Sequence, residues 1–160
     1  MSINNYWCEL LDPVTVNGIV NPSQASAVVA NSLLTFSLIF FWFLLGISLK
    51  EYKIISWLVA GFGIFAMLAA TFIFTSSHDI LIKYAGPFGF VAFIAAALGQ
   101  WKKKDFALFW LAMVALVFCG INYLMWISTF LLPALPLTQK FAFVFLFLWI
   151  LCTSWKLAKN

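Results

Sequence analysis

The residue types able to do chemistry in this chain collect around a few turnover points. The single histidine, His78, is followed directly by Asp79, and Thr75, Ser76 and Ser77 stand just before it. Lys83 and Tyr84 come about one helical turn later, and Asn122, Tyr123, Gln139 and Lys140 flank a later turnover. A histidine oriented by a carboxylate can act as a general base, so His78 and Asp79 are the candidate catalytic pair. A wider set, Thr75, Ser77, His78, Asp79, Lys83, Asn122, Tyr123, Gln139 and Lys140, is the candidate ligand-binding group. It would suit a shallow polar pocket for a lipid headgroup. Each member also has a structural duty open to it. Asp79 can cap a helix and pair with Lys83 four residues on, Lys83 and Lys140 can reach toward headgroups, and Asn122 can bond a neighbouring helix.

The same inventory excludes several classes of function. One histidine cannot supply bis-histidine haem ligation or a multi-histidine zinc site. Cys8, Cys119 and Cys152 form no CxxC pair, so neither a metal nor another cofactor is expected. No G-x-S-x-G elbow and no glycine-rich phosphate loop occurs. Gly61-x-Gly63 and Gly86-x-x-Gly89 lie within apolar stretches, where packing explains them better. The net charge of +4 sets nine lysines, with no arginine, against five acidic residues, and the lack of arginine argues against nucleic acid as a partner.

The elements that must position these residues follow from composition. With 65% hydrophobic and 9% charged residues, the chain offers five apolar stretches, at 26–49, 54–75, 80–99, 106–127 and 138–157. Each approaches or exceeds the ~20 residues that cross a ~30 Å hydrocarbon layer. Backbone groups in lipid must bond internally, so each stretch must be a helix. The expected fold is all-α, an integral membrane bundle of five transmembrane helices (22–160) behind an outer polar segment (1–21). That segment lacks the basic start and apolar core of a cleavable signal. Seven lysines (50, 53, 102–104, 156 and 159) fall on one side of a five-span zigzag and two, Lys83 and Lys140, on the other. The positive-inside rule then puts the N-terminus outside and the C-terminus in the cytoplasm.

Local signals refine the elements. Asn21-Pro22-Ser23-Gln24 reads as cap, first helical residue and capping box, with Ser76 and Thr138 as further caps. Small residues line span three (Ala85, Gly89, Ala92, Ala96, Gly99), span two (Ala60, Gly63, Ala70) and span four (Ala112, Ala115, Cys119). Close approach through such faces predicts spans two to four as the tight centre, with spans one and five facing lipid. A kink is expected at Gly86-Pro87.

The segment Asn5-Tyr6-Trp7-Cys8-Glu9-Leu10-Leu11, with Asn17-Gly18, Asn21-Pro22 and Leu137-Thr138-Gln139-Lys140 before Trp149, resembles a bacterial family of small multi-pass membrane proteins. That family is distantly similar to the DRAM-type (damage-regulated autophagy modulator) proteins. The resemblance implies a helical membrane fold, a bacterial inner membrane, and a further helix before Tyr6, whereas this chain starts at Met1. It implies no activity. The leading functional expectation is a non-enzymatic protein binding membrane lipid, a partner membrane protein or a second copy of itself through an outward polar pocket. The alternative is a lipid-headgroup enzyme using His78 and Asp79. Passive permeation of small solutes is opposed by the apolar middles of the spans.

Overall fold

A computed structural model describes residues 10–14, 18–75, 78–128 and 134–159, without the side chains of His78 and Asp79. The described chain is all-helical, with α1 (Gln24–Ser48), α2 (Lys53–Thr71), α3 (His78–Lys102), α4 (Phe106–Ile127) and α5 (Leu135–Lys159). Among the described residues no strand forms beyond an isolated bridge between Val14 and Val20. All five helices are long and apolar enough to cross a membrane. At 1.5 Å per residue the shortest spans about 28 Å, close to the hydrocarbon thickness.

The helix starts differ from the capping signals. Helix α1 begins at Gln24, and no side chain caps it. Asn21 is buried and acts as a loop clamp, its amide donating to the carbonyls of Leu10 and Asp12 at 3.1 and 3.0 Å. Its Oδ1 accepts from the Ser23 backbone N–H. The Gln24 amide donates to the Leu11 carbonyl, so the expected capping box does not form. The preceding loop offers these side chains carbonyls that local spacing cannot reveal. Thr138 is likewise no cap: α5 starts three residues earlier, with Pro136 in its first turn, where no intrahelical N–H bond is lost. Ser76 lies outside the described residues. At the other boundary, α2 ends at Thr71, and 72–75 form tighter turns rather than more helix. Helix α3 continues through Pro87.

Neighbouring helices pack in chain order, most extensively α2 on α3 and α1 on α2, then α4 on α5. Helices α1 and α5 scarcely meet. The expectation of a centre built from α2, α3 and α4 alone is therefore corrected. Helix α1 contributes Phe41, Trp42, Leu45 and Leu49 to the core, and α5 contributes Trp149, which is 0% exposed. The small faces act as sockets for these large side chains. A Cβ on Gly63 would stand 2.5 Å from the Trp42 ring, and one on Gly99 would stand 2.6 Å from Leu49. A Cβ on Gly46 would stand 2.7 Å from that of Ala60, so α1 and α2 also approach closely there. In lipid no hydrophobic force draws helices together, so such interlocking supplies the contacts that do.

Large apolar side chains cover the outside, among them Phe36, Phe40, Trp57, Trp110, Val144 and Leu151. That surface needs a lipid solvent.

Candidate functional site

The described members of the predicted polar set lie at the end of the bundle away from most of the lysines, and Asn122, Tyr123 and Thr75 make separate contacts there. Asn122 donates to the Thr138 hydroxyl at 3.3 Å, joining α4 to α5. The Thr138 hydroxyl lies 3.1 Å from the Leu135 carbonyl of its own helix. Tyr123 packs on Phe90 and Trp126, its ring lying where a Cβ on Gly86 would stand 3.3 Å away. The Thr75 hydroxyl turns back to the Phe72 carbonyl at 2.8 Å. Lys83 is exposed, whereas Gln139 and Lys140 are half-buried on the first turns of α5. Ser77 and the side chains of His78 and Asp79 lie outside the described residues. The structure thus brings Asn122 to α5 and Tyr123 to α3, both as helix contacts.

A second polar knot at this end joins α1 to α2. The Thr71 hydroxyl is 3.0 Å from that of Thr35, and Asn31 donates to the Ala70 carbonyl at 3.2 Å. Thr35 also bonds back to its own helix, as isolated threonines in apolar helices do.

A further buried polar group lies toward the lysine-rich end and is not marked by the sequence motifs. Gln100 on α3 is 4% exposed; its Nε2 donates to the Thr153 hydroxyl at 3.2 Å, while its Oε1 accepts from the Trp149 indole at 3.1 Å. Both α5 partners are buried too. A signal existed: Trp149 and Thr153 are four apart on one helical face, and a glutamine in an apolar span needs partners. Its place beside Lys102–Lys104 made it look like the end of a span. Among the described residues no buried side-chain nitrogen or oxygen lacks a partner. The triad therefore reads as a lock between α3 and α5.

Around this end the chain turns tightly. Helix α3 closes with Asp105 N–H bonded to the Gln100 carbonyl and Lys104 N–H to that of Trp101. This is the double bond of a Schellman ending, with Lys104 in the left-handed region at φ 60°. Lys103 donates to the Ser48 carbonyl, Tyr52 to the Lys102 carbonyl, and Lys156 pairs with Asp105. These links tie the three lysine-bearing places together.

A shallow open cavity lies on the outer face of α2 where it meets α3. It measures about 600 Å³ and is lined by Lys53, Ile54, Trp57, Leu58, Gly61, Phe62, Phe65 and Phe88. Gly61 is exposed in its lining, and a Cβ there would meet nothing within 4 Å. Phe88 of α3 crosses one end, its ring 5.4 Å from Phe62 and 4.7 Å from Phe65. Lys53 is the only charged residue among those lining it. Among the described residues no group of three or more His, Cys, Asp or Glu is placed to hold a metal.

No protein-family model, curated protein or solved structure matches this chain.

Proposed function

We propose that this chain is a non-enzymatic multi-pass membrane protein that binds a membrane lipid, one acyl chain of which lies in the groove on α2 and α3. The observation that carries this reading is the groove itself. It is shallow, aromatic-walled and open to its surroundings, and the exposed Gly61 in its lining leaves room that a side chain would occupy. Its volume falls within the ~300–1,000 Å³ of ordinary small-molecule sites. The polar cluster at the opposite end supports the reading less, since Asn122 and Tyr123 are engaged in helix contacts. The lysine bias supports a lysine-rich end in the cytoplasm, and the family resemblance supports a bacterial inner membrane.

Native mass spectrometry on the protein released gently from its membrane tests the reading. Wild type should retain one lipid, and Gly61→Leu, which puts a bulky side chain into the groove from a position whose Cβ has open space around it, should lose it. Equal retention by both, or none by wild type, would rule out the groove as a lipid site.

A further inference from the structure

We infer that the lipid in this groove is an anionic phospholipid of the lysine-side leaflet, its headgroup at Lys53 and one acyl chain running over Gly61 to Phe65 and Phe88. This rests on the lipid-binding reading and adds the lipid's class and its leaflet. The first support is length. From Lys53 to Phe65 the groove follows α2 for about 18 Å. One leaflet contributes half of a ~30 Å hydrocarbon layer, so the groove matches the reach of a single acyl chain from the interface toward the midplane. A partner transmembrane helix would make contact across the full thickness, whereas this groove is crossed by Phe88 where it packs on Phe62 and Phe65.

Charge gives the second support. The groove is apolar except where Lys53 opens α2, and no acidic residue occupies the first turn of that helix. Lys50 and Glu51 are exposed in the turn just before it, so the local balance with Lys53 is positive. The only acid in that turn is thus outnumbered by lysines. A zwitterionic headgroup carries its own cation toward Lys53, while an anionic one does not. The third support is the interfacial marker. Trp57, one turn in from Lys53, is 79% exposed at the depth where indoles settle between headgroup and chain. Lys53 can extend along this surface with its ammonium at the phosphate level.

The test uses the full chain in nanodiscs of phosphatidylcholine containing a minority of phosphatidylglycerol, with retained lipid read by native mass spectrometry. Wild type should hold one lipid enriched in phosphatidylglycerol about fivefold over its bulk share, the factor expected for one lysine at an anionic surface. Lys53→Gln should still hold a lipid but at bulk proportions. A phosphatidylglycerol bearing a photoreactive group at its chain terminus should crosslink at Phe65 or Phe88. Bulk proportions in wild type, or undiminished enrichment in Lys53→Gln, would overturn the headgroup assignment and leave lipid binding standing. Crosslinks confined to the Lys53 end would overturn the placement of the chain. No lipid on wild type, or equal retention by Gly61→Leu, would remove the lipid-binding reading and this inference with it.

Discussion

Replacing Trp149 by Ala should loosen α5 from the rest of the bundle. Its ring packs against Phe93 at 4.4 Å, Phe41 at 5.6 Å and Trp42 at 6.0 Å, and its indole N–H bonds Gln100 at 3.1 Å. It therefore touches α1 and α3 at once, where α1 and α5 otherwise scarcely meet. Emptying such a site costs about 3–5 kcal/mol in well-packed interiors. The cost should persist in detergent or lipid, because it comes from lost contacts rather than transfer from water. Trp149→Phe separates the two components. It keeps a ring in the socket and removes the N–H···O bond, and such bonds between membrane helices average ~0.6 and reach ~1.7 kcal/mol. The assay is unfolding by sodium dodecyl sulfate in mixed micelles, followed by circular dichroism because the probe must not depend on tryptophan emission. The Ala variant should unfold far earlier than wild type and the Phe variant only slightly earlier. An Ala variant within about 0.5 kcal/mol of wild type would refute the role of Trp149 as the keystone. A Phe variant as unstable as Ala would show that the hydrogen bond, not packing, carries the effect.

The two glycines of Gly61-x-Gly63 should respond oppositely to alanine. Gly63→Ala meets the Trp42 ring and should lose about 1–3 kcal/mol in the same assay, whereas Gly61→Ala, with open space at its Cβ, should be neutral or slightly stabilising. Lys104→Gly should raise stability by about 1 kcal/mol, since Lys104 holds a left-handed conformation at φ 60°; a Lys104→Val variant should instead lower the unfolding midpoint. Asn122→Ala should lose the link to Thr138, cost about 0.6 kcal/mol, and leave lipid retention unchanged in native mass spectrometry. Loss of lipid from that variant would move the binding site to the opposite end of the bundle.

Five apolar stretches without internal charge runs were legible because lipid leaves the backbone one solution, a helix, and a hydropathy pattern alone marks where it runs. The α4 boundaries match the sequence reading, and the other helices differ by a few residues at one or both ends. Small-residue positions were legible in part: Gly63, Ala92, Ala96, Gly99, Ala112 and Ala115 are buried, whereas Ala60, Ala70, Ala85, Gly89 and Cys119 are half-buried. What they receive was not. Whether a notch takes a neighbouring backbone or a Trp42 or Leu49 side chain depends on helix rotation and register, which residue spacing does not encode. The same limit explains the side-chain amides of Asn21 and Gln24, which donate to a loop about ten residues earlier, while Asn21 Oδ1 keeps the local contact with the Ser23 N–H.

The candidate sites divide along the same line. Sequence could place Thr75, Lys83, Asn122, Tyr123, Gln139 and Lys140 near helix ends, because lipid excludes polar residues from bare spans. It could not show that Asn122 bonds Thr138 or that Tyr123 lies against the Gly86 position, nor that Gln100, Trp149 and Thr153 meet from helices about fifty residues apart. The groove was equally hidden, since Gly61 and Gly63 look alike in sequence yet one faces outward and the other faces Trp42. Residue chemistry thus determined the solvent and the secondary structure of this protein. Tertiary packing alone decided which small residues become sockets, which polar groups are paired, and where an opening to the lipid remains, because all three depend on how each helix is turned against its neighbours.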